Sequence, residues 1–60
     1  MKLIDTATGE IVADVITNRA MSIDDILSLM RYTIDNDNGE LINEQHEHTN
    51  IYYENLFLEI

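Results

Sequence analysis

Asp14 is the residue of this chain whose chemistry most needs explaining. It stands in the middle of "EIVADVITNR" (Glu10 to Arg19), a run of apolar, β-branched residues that reads as a strand. Strand alternation places Val12, Asp14 and Ile16 on one face and Ile11, Ala13, Val15 and Thr17 on the other, so the carboxylate falls between two apolar neighbours. A carboxylate there must be paired, solvated at an edge, placed at an interface, or used. An inward-pointing charge also guards a strand against edge-to-edge pairing with another chain. In use, Asp14 would bind a divalent cation such as Mg2+ or Mn2+, or act as a base towards a water attacking phosphorus. One Asp is not a complete site. Metal-dependent phosphodiester cleavage takes more than one protein ligand, and so short a protomer would recruit the others from a symmetry mate.

Three other groups carry weaker signals. Glu44, His46 and His48 lie at i, i+2 and i+4, where an extended segment puts all three on one face within reach of a metal; histidines in a polar loop are more often simply solvated. Arg19, at the end of the odd strand, is the best of the three bases for a phosphate contact or for pairing Asp14. Tyr32, Tyr52, Tyr53 and Phe57 offer aromatic surfaces of the kind that stack single-stranded nucleic acid, but no base stands near Tyr52, Tyr53 or Phe57, which favours core and interface packing. Asp35, Asp37 and Gly39 follow a calcium loop's opening, yet the glycine falls one position early, and a turn is the better reading.

The elements that must position these groups are constrained by size. Sixty residues make one domain, 1–60, because so short a chain buries only about 60% of the surface it exposes when unfolded. There is no Cys to supply a disulfide or a thiolate zinc site, and nothing points to an oxidising compartment, so self-association is the remaining source of buried area. Twelve Asp and Glu against three Lys and Arg give a formal net charge of -9. That field repels nucleic acid at long range and favours basic partners. An acidic small protein can also imitate the phosphate backbone to a nucleic-acid enzyme, although solubility alone accounts for many such charges. The opening Met1-Lys2-Leu3-Ile4 runs straight into Asp5, and no apolar run reaches membrane-spanning length, which leads to the expectation of a cytoplasmic protein without a membrane partner.

Along the chain, Lys2 to Asp5 reads as a strand, Thr6 to Gly9 as a turn, and Glu10 to Thr17 as the returning strand. Ser22 caps a helix whose first turn carries Asp24 and Asp25. Ile23, Ile26, Leu27, Leu29 and Met30 form its apolar arc, and it should end near Tyr32. Tyr32 to Asp35 and Glu40 to Asn43 form a second hairpin around Asn38-Gly39, a dipeptide typical of two-residue turns. Glu44 to Asn50 reads as a loop and Ile51 to Ile60 as a closing strand. The expected fold is α+β, a small antiparallel sheet in the order β-β-α-β-β-β with one helix packed on it, without an internal repeat.

The stretch from "MKLIDTATGEIVADVITNRAMSIDDILSLM" through "YYENLFLEI", and above all "IVADVITNR", resembles small, acidic, prophage-encoded type II-A anti-CRISPR proteins. The resemblance implies a PC4-like fold and a homo-oligomer, dimer or tetramer, in the cytoplasm of a bacterial host. It implies protection of DNA from Cas9 by nicking and relaxing supercoiled double-stranded DNA, with Asp14 the catalytic and metal-binding residue. Negative supercoiling helps Cas9 open its target, so relaxation would act on the DNA and direct Cas9 binding would not be required. The alternative is an acidic, nucleic-acid-mimicking inhibitor that binds Cas9 or another basic nucleic-acid enzyme.

Overall fold

The computed structural model describes all 60 residues and shows a small α+β protein. Strand β1 (Lys2–Asp5) turns into β2 (Glu10–Asp14), helix α1 (Ile23–Leu29) follows, and β3 (Thr33–Ile34), β4 (Glu40–Ile42) and β5 (His48–Tyr52) come next. A single 3-10 turn, Tyr53–Asn55, then leads into β6 (Leu56–Glu59). In place of the single expected sheet there are two three-stranded antiparallel sheets, ordered β2-β1-β6 and β3-β4-β5. No helix is long and apolar enough to cross a membrane.

Both tight hairpins use one turn, written twice in the sequence thirty residues apart. Ile4-Asp5-x-x-x-Gly9-Glu10-Ile11 recurs as Ile34-Asp35-x-x-x-Gly39-Glu40-Leu41. Gly9 N–H donates to the Asp5 carbonyl at 2.7 Å, and Gly39 N–H donates to that of Asp35 at 2.8 Å. Each Asp carboxylate accepts the N–H two residues on, from Ala7 at 3.0 Å and from Asp37 at 2.9 Å. The residue before each glycine then accepts from the returning strand, Thr8 from Glu10 and Asn38 from Glu40. Gly9 and Gly39 take φ of +78° and +76°, a left-handed conformation that a Cβ disfavours. The second turn therefore spans four residues between paired Asp35 and Glu40, not two, and a short motif does repeat, contrary to the expectation.

Helix α1 begins as its sequence dictates. Ser22 Oγ accepts from Asp25 N–H at 3.1 Å while the Asp25 carboxylate accepts from Ser22 N–H at 3.0 Å, a reciprocal cap. These bonds hold the Asp25 carboxyl below the usual carboxylate range, with a smaller contribution from the Arg19 charge. The helix stops at Leu29, short of Tyr32, because Arg31 adopts φ +63° and lets Tyr32 N–H donate back to the Leu27 carbonyl at 2.9 Å. That is a helix stop normally built with glycine.

The core lies where the two sheets and the helix meet. Leu3 from the first sheet, Ile26 from α1 and Leu41 from the second sheet are each fully enclosed, joined by Ala13, Val15 and Leu27. Each large aliphatic side chain so enclosed contributes about 1.5–3 kcal/mol. The 3-10 turn ties the halves together: Tyr53 N–H donates to the Gly39 carbonyl at 2.8 Å, and the Asn55 carbonyl accepts both the N–H and the hydroxyl of Thr6. This turn breaks the closing strand expected over Ile51 to Ile60 in two. The expected loop over Glu44 to Asn50 is likewise shortened, since β5 begins at His48. The returning strand ends at Asp14, three residues before Thr17.

Candidate functional site

Asp14 is exposed at the end of β2, an edge strand of the first sheet. Its cross-strand neighbour is Lys2, and beyond Lys2 on β6 lies Glu59, so one row across the sheet reads Asp14, Lys2, Glu59. The next outward row reads Ile11, Ile4, Phe57, of which Ile11 and Phe57 are more than half exposed. Ile11 reaches that face because the register shifts between Leu3 and Ile4, a bulge that leaves Val12 as the extra residue. The simple alternation expected for Glu10 to Thr17 had placed Ile11 opposite Asp14. The outer face of the first sheet is thus a charged row beside an apolar one, open to solvent.

Arg19 does not pair with Asp14. It is exposed in the segment before α1, where its N–H donates to Thr17 Oγ1 at 3.2 Å and its charge acts on Asp25. Nor do Glu44, His46 and His48 converge. Glu44 meets Arg31 at 3.6 Å, His46 turns the chain at φ +64°, and His48 Nδ1 lies 2.8 Å from Glu40 Oε1. No three His, Asp or Glu side chains in the molecule are grouped so that they could hold a metal.

No family model, curated protein or solved structure matches the chain.

The surface of the molecule carries a strong excess of acid. Nine of the twelve carboxylates are exposed, and Asp35 is half-buried. Glu44, with Arg31, is the single one in an ion pair with Lys or Arg. The two buried acids serve the fold. Asp5 binds the first turn through Ala7 N–H and the Thr8 hydroxyl. Glu40 accepts from His48 and, at 2.9 Å, from Asn50 N–H, which together hold its carboxyl below the usual range.

One concave feature remains, a shallow groove of about 370 Å³ between α1 and β3, lined by Asp24, Leu27, Ser28, Tyr32, Thr33 and Ile34. The sequence offered no signal for it, because it exists only through the sharp stop at Arg31 that folds β3 back beside the helix. The Asp24 carboxylate there also faces the Tyr53 hydroxyl, and this contact pushes the phenol above its ordinary range.

Proposed function

We propose that the protein is an acidic binding module that occupies the nucleic-acid-facing surface of a basic partner protein. The observation that carries this reading is the excess of exposed carboxylates without cationic partners on a chain of net charge -9. Such a field attracts basic surfaces at long range, while the apolar row of Ile11, Ile4 and Phe57 supplies contact area that excludes water once the partner has arrived. On the resemblance to anti-CRISPR proteins, the partner would be Cas9 and the site of action the bacterial cytoplasm. Mixing the purified protein with guide-loaded Cas9, followed by size-exclusion chromatography at low and at high salt, tests it. A complex that forms at low salt and weakens steeply as salt rises is expected. No complex at low salt would overturn the reading.

A second reading, an anti-CRISPR nickase of PC4-like fold acting on supercoiled DNA, is supported by one observation: Asp14 is open to solvent and to any cation. Its neighbours in the protomer supply Lys2 rather than further ligands, so Mg2+ or Mn2+ would be shared between copies in a dimer or tetramer, with Arg19 of each copy free to meet a phosphate. A plasmid-relaxation assay with and without these metals tests it. Conversion of supercoiled to open-circular plasmid by wild type, lost in Asp14→Ala of unchanged oligomeric size, would support the nickase.

A further inference from the structure

The groove between α1 and β3 has features that point to a particular class of ligand. Its apolar wall comes from Leu27, Tyr32 and Ile34, and its polar rim from Asp24, Ser28 and Thr33. None of the three Lys and Arg residues lines it, and none pairs with Asp24. A shallow groove lined by apolar side chains, an aromatic ring and one carboxylate without a cationic partner suits a planar cation. The carboxylate offers two acceptor oxygens to a forked donor, and the ring attracts the cation's face. An ammonium group would not supply the fork.

We propose that this groove binds a guanidinium-type side chain, an arginine presented by the basic partner, with its plane against the apolar wall and its N–H groups on Asp24. This inference rests on the reading of the protein as an acidic binding module and names the contact through which that module would select arginine over lysine. Ser28 and Thr33 leave hydroxyl acceptors for the N–H groups that Asp24 does not take.

The test uses the intact chain and benzamidinium, a small planar cation with an apolar body. Titration into 15N-labelled protein should shift the amide signals of Asp24, Leu27, Ser28, Tyr32, Thr33 and Ile34 together along one binding curve. Asp24→Asn should raise Kd by about fivefold, the worth of roughly 1 kcal/mol for an exposed charge pair. Asp24 is exposed and outside the reciprocal cap of Ser22 and Asp25, so this variant keeps the fold. Asp14→Asn should leave Kd unchanged, and Ile34→Ser should weaken binding without altering net charge. Shifts spread over Glu10, Asp14, Glu54 and Glu59 as strongly as over the groove, or a Kd indifferent to Asp24→Asn, would overturn the proposal. Because the probe is a small molecule, groove binding without any protein complex would remove only the partner reading. A protein complex indifferent to Asp24→Asn would remove only the groove.

Discussion

His48 of β5 reaches diagonally to Glu40 of β4, with Nδ1 2.8 Å from Oε1, while the other oxygen of Glu40 accepts Asn50 N–H. The carboxylate is almost fully enclosed and the imidazole is mostly exposed, so the pair joins the second sheet's interior to solvent.

Acid should therefore weaken the protein through Glu40. Its carboxyl titrates below the usual range in the folded state, chiefly because of His48 and then Asn50. A depressed folded-state pKa stabilises the fold fully above the unfolded value and ceases to do so as pH falls through the folded one. Asp25 acts with the same sign. Urea unfolding followed from neutral pH into the acid range should show stability falling below the ordinary carboxylate titration, and Glu40→Gln should flatten that fall. A Glu40→Gln profile superimposable on wild type would refute the assignment.

The two repeated turns make a matched pair of tests. A Cβ on Gly9 would meet nothing within 4 Å, and one on Gly39 would touch only the Tyr53 Cβ at 4.0 Å. Space is thus not the constraint, and the left-handed backbone is. Gly9→Ala and Gly39→Ala should each cost about 1–2 kcal/mol in thermal or urea unfolding, with asparagine costing less at both positions.

Arg31 occupies the same left-handed conformation without being glycine. Its ion pair with Glu44 is exposed on both sides and offsets little of that strain. Arg31→Gly should stabilise the protein by about 0.5–1 kcal/mol, a gain readable as a higher urea midpoint at unchanged slope.

Leu3 is completely enclosed at the junction of the first sheet with the helix. Leu3→Ala should cost about 2–5 kcal/mol, comparable with the whole stability of roughly 3–5 kcal/mol expected of so small a core. Circular dichroism of the variant should show a largely unfolded chain, unless assembly with other copies restores the missing area.

Asp14 separates structure from use. It is exposed at an edge, and its neutral variant Asp14→Asn should change stability by no more than about 0.5 kcal/mol. A larger loss would show that the row through Lys2 and Glu59 matters to folding. With stability unchanged, any effect of the variant on plasmid relaxation or on a protein complex reports on function alone.

Much of the fold could be read from local chemistry. Lys2–Asp5 is bounded by its own turn residues, and the cap of α1 follows from Ser22 and Asp25 standing three apart. What could not be read depends on contacts between distant residues. Nothing near Val12 announces the bulge, which serves pairing with β1. The break at Tyr53 lacks Gly or Pro and arises from hydrogen bonds to Gly39 and Thr6. The partition into two sheets is decided by β6 pairing with β1 and not with β5, a choice made between distant segments that no local signal announces. Asp14 was legible as an oddity, but its neighbour was not: register, not proximity in sequence, sets it opposite Lys2, with which it forms no ion pair. The groove at Asp24 was invisible for the same reason.

The pairing of β1 with β6 also governs how the molecule comes to be folded. The β1–β2 and β3–β4 hairpins are closed by local turns and belong to events of about 1–10 μs. The first sheet, however, joins strands from nearly opposite extremes of the sequence, Lys2 against Glu59, and must wait for the slowest loop closure in the chain. Until β6 arrives, β1 carries an open row of backbone donors and acceptors beside Leu3 and Ile4. In that interval one edge of the nascent sheet is available to any extended segment nearby, including the same strand of a neighbouring molecule. Conditions of synthesis that crowd many copies together thus favour exchanged strands, and dilution favours the closed monomer.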